Sequence, residues 1–144
     1  MEMSDKDNNK EFYRPPKAPY EKLLGLKILK VTQDFARVQL PFNKDFTNPH
    51  GSFHGGAIIS LADTAAAVAL STRYEDVGFF TTRFNMEFRN QAKTDIFAEA
   101  RITGSRKNLY FIGIKIFNED RRLVANGEAT FFVPNKGKQR TKEG

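Results

Sequence analysis

The 144-residue chain predicts an α+β domain: a long antiparallel β-sheet wrapped around one central α-helix, in the order β-β-α-β-β-β-β. Three observations carry that expectation. Residues 54–72 are the only long helical candidate, dominated by alanines 57, 62, 65, 66, 67 and 69 with Ile58, Ile59, Leu61, Val68 and Leu70. A helix apolar nearly all round must be enclosed by the rest of the protein. After it, the pattern turns wholly to strands, and runs of strands beside one helix give an α+β architecture.

Residues 1–19 are polar, contain Pro15, Pro16 and Pro19, and read as a disordered lead-in with some ordering at Phe12 and Tyr13. The structured domain is expected over 20–134. YEKLLG at 20–25 predicts one short helical turn closed by glycine. In 26–41, Ala36, Val38 and Leu40 alternate with Arg37 and Gln39, a strand ended by Pro41, with 26–31 as its hairpin partner. FNKDFTNPHGSF then reads as a loop.

Beyond the helix, Thr82, Phe84, Met86 and Phe88 alternate with Arg83, Asn85, Glu87 and Arg89 in a strand over 81–90. A second strand over 96–102 alternates Ile96, Ala98, Ala100 and Ile102 with Phe97, Glu99 and Arg101. LYFIGIKIF at 109–117 is apolar on both faces and predicts a central strand. NEDR at 118–121 is a polar hairpin turn, and 123–133 return as the last strand, stopped by Pro134. Residues 135–144 form a basic tail. No internal repeat is visible.

Composition narrows the chemistry. There are no cysteines, which excludes disulfides, thiolate catalysis, zinc ribbons and iron–sulfur clusters and fits the cytoplasm. The N-terminus has no apolar signal region. The apolar run at 57–71 is shorter than the roughly 20 residues a bilayer needs. It also carries Asp63, which would cost about 2.5–3.5 kcal/mol at a membrane centre. The protein is expected to be soluble, with no membrane partner. Of the net charge of +6, residues 1–19 contribute zero, 134–144 contribute +3 and the body +3. A modestly basic body suits an anionic small ligand at least as well as nucleic acid.

Asp63 is the one charged residue of the helix. It reads as a carboxylate turned to solvent, as a structural hydrogen-bonding group, or as a general base or nucleophile with a raised pKa. Gly55 and Gly56 stand at the helix start, where backbone N–H groups lack intrahelical acceptors and a ligand oxygen can approach closely. They serve equally to shape a tight loop-to-helix turn. His50 and His54 are four apart, but NPHG reads as loop and no acidic or thiol partner is near, so no metal site is expected. His54 is expected to shape the glycine turn by hydrogen bonding. Asn48 is either a turn former or an amide that orients water. No GxSxG, Walker or GxGxxG motif is present.

The pattern Asn48-x-x-Gly51-x-x-His54-Gly55-Gly56, followed by Asp63 in an alanine-rich helix, closely resembles hotdog-fold acyl-CoA thioesterases, best the PaaI-type phenylacetate-degradation and THEM-type group. The resemblance covers residues 24–133. It implies that Asp63 acts as general base or nucleophile and that the Gly55 N–H polarises the thioester carbonyl. Asn48 would place the water, His54 would support the site, and Thr81, with Thr82 next in line, would hydrogen-bond the aspartate. It further implies a dimer or tetramer whose site joins Asp63 of one chain to Asn48–Gly55 of another. The substrate would be an acyl-CoA, and no separate cofactor is implied. Gly56, Thr82 and Phe53 fall to the substrate-binding side, with Arg106 and Lys107 for the coenzyme A phosphates and Arg83 and Arg89 as weaker candidates. Ser52-Phe53 and Phe79-Phe80 depart from the commoner small residues and add bulk near the expected acyl pocket. The rival functions are a non-catalytic acyl-CoA binder on the same fold, a hotdog hydratase or dehydratase, and nucleic-acid binding through the basic tail. No aromatic–basic stacking motif supports the last.

Overall fold

The computed structural model describes residues 18–74 and 77–136. The lead-in at 1–17, with Phe12 and Tyr13, and the tail beyond residue 136 lie outside them. The chain begins with α1 (Pro19–Leu24), which starts at its proline and closes on Gly25 in the left-handed region, φ 75°. β1 (Lys27–Thr32) and β2 (Phe35–Leu40) form a hairpin. A short 3₁₀ turn at Lys44–Phe46 interrupts the expected loop. Then come α2 (Gly55–Ser71), β3 (Phe80–Phe88), β4 (Ile96–Arg106), β5 (Leu109–Asn118) and β6 (Leu123–Phe132).

The six strands make one sheet in the order β1-β2-β4-β5-β6-β3, with every pairing antiparallel. The strand order and single wrapped helix match the expectation, and this is the hotdog architecture. Nine α2 side chains are buried, among them Leu61, Ala62, Ala65, Ala66, Val68 and Leu70. They meet inward residues such as Val38, Ala98, Ala100, Ile112, Ile114 and Ala129, all buried in one core. The alanines explain the close wrap: a short side chain lets the concave sheet approach the helix. β5 is central, between β4 and β6.

Two strands depart from the sequence reading in ways that bear on the site. β4 continues to Arg106 rather than ending near Ile102, because a register shift between Ile102 and Gly104 lets it stay paired with β5 through a segment of turn-forming residues. β3 contains a second shift, between Thr81 and Arg83, with Thr82 as the extra residue. The strict alternation expected for 81–90 is therefore broken. Thr81 pairs with the buried Phe131 and Phe84 with the buried Ala129, so both face α2 although they are three residues apart.

β3 is an edge strand held by β6 alone. Its close approach depends on Gly127: a Cβ there would lie 2.0 Å from the Asn85 carbonyl oxygen.

Candidate active site

Asp63 sits half-buried in the middle of α2. The bulge in β3 turns Thr81 towards it, and the Thr81 hydroxyl donates to Asp63 Oδ1 at 2.7 Å. No other described group hydrogen-bonds the carboxylate. Burial pushes its pKa up, and the Thr81 bond opposes that in part. The carboxylate is thus less acidic than a surface aspartate and more ready to take a proton. Thr82, on the bulge, instead donates to the Thr130 carbonyl at 3.1 Å and does not meet Asp63.

At the N-terminus of α2, His54 is the capping residue. Its Nδ1 accepts from the Gly56 N–H at 2.8 Å. An accepting Nδ1 carries no proton, so a neutral His54 holds its proton on Nε2. A Cβ on Gly56 would stand 3.0 Å from that same Nδ1, so a side chain there would have to push the His54 ring aside. Gly55 is the first helical residue, its N–H has no intrahelical acceptor, and no described group accepts from it. The helix dipole adds partial positive charge at this donor.

The loop before α2 is fixed by its own side chains. Asn48 Oδ1 accepts from the N–H of His50 at 2.9 Å and of Ser52 at 3.2 Å, so Asn48 does form the turn. None of these bonds uses its amide nitrogen. Ser52 is buried and exchanges hydrogen bonds with Ala92, donating to its carbonyl and accepting from its N–H. The Phe53 N–H donates to the same carbonyl at 2.8 Å. Phe53 is only 2% exposed and packs edge-on against Phe42, with centroids 5.2 Å apart. Both residues of the Ser52-Phe53 pair are therefore mainly anchors of the loop. A cleft of about 360 Å³ is lined by Asn48, Gly55, Phe88 and Asn90 among others, with Phe53 behind them.

Phe79 packs on Phe131, whereas Phe80 lies against Phe132 on the outer face of the sheet, away from Asp63. Arg106 and Lys107 are exposed at the β4–β5 turn, with Lys107 in the left-handed region at φ 57°. The pairings Leu109–Phe132 and Phe132–Phe80 put that turn at the Thr81 end of the sheet. Arg89 is engaged by Glu87 at 2.6 Å and Asn126 at 2.9 Å. His50 is exposed on the loop, and no described cluster of three or more His, Cys, Asp or Glu could hold a metal. No described helix is long and apolar enough to cross a membrane.

Within one chain the candidates fall into two groups. Asp63 and Thr81 form one, and Asn48, His54, Gly55 and Gly56 the other. Eight residues of helix separate Gly55 from Asp63, about 12 Å along the axis at 1.5 Å per residue. A carbonyl that accepts from a donor at roughly 3 Å and is attacked directly by a base at roughly 3 Å spans about half that axial distance. Sequence reasoning missed Phe88, which stands beside Gly55. Its place in an alternating strand signalled packing, and only the pairing of chain ends shows where it emerges.

The model of a domain-of-unknown-function family, DUF4442, matches residues 13–133. The acyl-coenzyme A thioesterase PaaI of Escherichia coli K12 is 29% identical over 106 residues, covering 72% of this chain and 74% of that protein. A Deinococcus radiodurans relative is 44% identical over 54 residues, and the chain spans only 37% of that protein's length. The solved structure of E. coli PaaI superposes with a TM-score of 0.78 at 24% identity, over 92% of this chain and 94% of that one.

Proposed function

We propose that this chain, which belongs to the DUF4442 family, hydrolyses an acyl-CoA thioester to a free carboxylic acid and coenzyme A. One observation carries the proposal. A half-buried carboxylate with a raised pKa and an N–H donor without an acceptor among the described residues lie on one helix, about 12 Å apart along its axis. That separation suits two copies related by a twofold axis, each supplying one group to the other's site. The exposed edge of β3, which lies between the two groups, is the surface through which they would meet.

In the proposed reaction, water adds to the thioester carbonyl carbon. The Asp63 carboxylate takes the proton from the water, and the carbonyl oxygen, as it becomes an oxyanion, is held by the partner copy's Gly55 N–H. The carbon–sulfur bond then breaks, and the proton leaves with the coenzyme A thiolate. Direct attack by Asp63 would instead give an acyl-enzyme anhydride that water opens. In single-turnover hydrolysis in oxygen-18 water, label in the Asp63 carboxylate marks the second route, through attack of water on the aspartyl carbonyl of the anhydride. Asn48 would orient the water through its amide nitrogen, and Thr81 would aim the carboxylate. His54 would support the helix start; its Nδ1, occupied by Gly56, speaks against a histidine-based hydratase. Arg106 and Lys107 would meet the coenzyme A phosphates. Gly56 and, less directly, Thr82 would border the substrate, while the buried Phe53 would anchor the loop behind it. The reaction needs only substrate and water. A cytoplasmic location and an oligomer of at least two chains belong to the same proposal.

The test is thiol release from a panel of acyl-CoAs. Hydrolysis of at least one member is expected. Stoichiometric binding with no turnover across the panel would overturn the enzymatic reading in favour of a binder.

A further inference from the structure

We infer that Phe88 is a specificity-determining residue of this site, the wall against which the acyl chain lies while the thioester carbonyl is held at Gly55. The inference rests on the thioesterase reading above. Phe88 is the last residue of β3 and follows Phe84 and Met86 on the face turned to α2. Those two are partly covered by the core, but Phe88 runs beyond it and is 50% exposed. A phenyl ring half in water forgoes much of the free energy that burial would give it. No described aromatic ring stacks on it. Its Cζ lies 3.7 Å from where a Gly55 Cβ would stand, so ring and N–H donor border the same space.

The other apolar side chains of that cleft offer little surface. Phe53 is 2% exposed and Ile58 4%. Phe88 therefore supplies most of the apolar area beside Gly55.

A thioester has two arms. The coenzyme A arm carries phosphates and amides and calls for cations and hydrogen bonds. The cation of this cleft, Arg89, is already engaged by Glu87 and Asn126. The cleft is thus matched to the uncharged arm, the acyl chain. Acyl groups long enough to cover the ring bury it, and acetyl does not.

The experiment compares wild type, Phe88→Leu and Phe88→Ala on acetyl-, butyryl-, hexanoyl- and octanoyl-CoA. A contact of this size shifts kcat/KM by about tenfold, within the range by which apolar pockets discriminate. The hexanoyl-to-acetyl ratio of kcat/KM is expected to fall about tenfold in Phe88→Ala, with Phe88→Leu in between. An unchanged ratio, whether all substrates weaken together or none does, overturns the inference and leaves the thioesterase reading intact. A wild type that hydrolyses none of the four, nor any member of the wider panel, overturns both.

Discussion

The two ends of α2 are built in opposite ways. At its C-terminal end the polar side chains of Ser71, Thr72, Arg73 and Tyr74 are all hydrogen-bonded. The buried Thr72 hydroxyl accepts from the Asp34 N–H at 2.9 Å and donates to the Ala69 carbonyl at 2.8 Å. Arg73 clasps Asp34 with two hydrogen bonds of 2.8 and 2.9 Å. The hydroxyls of Tyr74 and Tyr110 are hydrogen-bonded to each other, and their rings meet edge to face. At the N-terminal end, the Gly55 N–H has no acceptor among the described residues and Phe88 stands half in solvent. The helix is anchored where no chemistry is expected and left open where a ligand would arrive. Anchoring one end fixes the position of Asp63 without filling the space around it.

Substitutions at the two ends should therefore separate stability from activity. The largest effect belongs to the working face. Asp63→Asn should lower kcat/KM by about 10²–10⁴-fold, the range for a general base. The same variant should not unfold earlier at neutral pH. A carboxylate whose folded pKa lies above its unfolded value favours folding in its protonated form. That contribution is complete below the unfolded value of 3.8 and is lost as pH rises through the raised folded one. Removing the charge should leave the unfolding midpoint at pH 7 equal or higher.

The closed end should show the reverse. Tyr110→Phe removes the bond between the two tyrosine hydroxyls at a cost of about 0.5–1.5 kcal/mol, read as a lower unfolding midpoint with kcat/KM preserved. Burial, followed by the bond to Tyr74, pushes Tyr110 up to about 12. Wild-type stability should accordingly fall between the unfolded value of 10 and about 12, and Tyr110→Phe should flatten that fall.

Smaller effects sharpen the contrast. Gly56→Ala pushes a methyl group against His54 Nδ1, and should cost about 1 kcal/mol, the worth of a helix cap, together with some activity. Thr81→Val removes the bond that lowers the Asp63 pKa, so the acid limb of the kcat/KM–pH profile should move to higher pH, with little loss well above it.

Much of this molecule was legible in its sequence because hydrophobic period is a local signal. One nearly all-apolar helix and six strand segments fix the element order, and Asp63 stands out because its helix has no other charge. The short α1 with its glycine cap was equally local. The β3 bulge was not. Alternation placed Thr82 with Phe84 and Met86, and only pairing with β6 shows that Thr81 takes the inward place. Phe53 and Phe88 exchanged expected roles for the same reason: exposure depends on which chain segments converge, and sequence spacing does not record that. Ser52 looked like bulk near a pocket until its bonds to Ala92 became visible.

The central claim is that the catalytic groups come from two chains, and complementation tests it most directly. Gly55→Pro removes the N–H yet suits the first helical position, where proline is well tolerated, and His54 already has the extended backbone, ψ 140°, that a following proline requires. Gly55→Pro and Asp63→Asn homo-oligomers should each be nearly inactive. Mixed and allowed to exchange subunits, they should form hetero-oligomers with one site that has both Asp63 and a Gly55 N–H, restoring roughly a quarter of wild-type activity if the chains pair at random as dimers. No recovery in hetero-oligomers demonstrated by differential tagging would contradict the account and place both groups in a single chain's site.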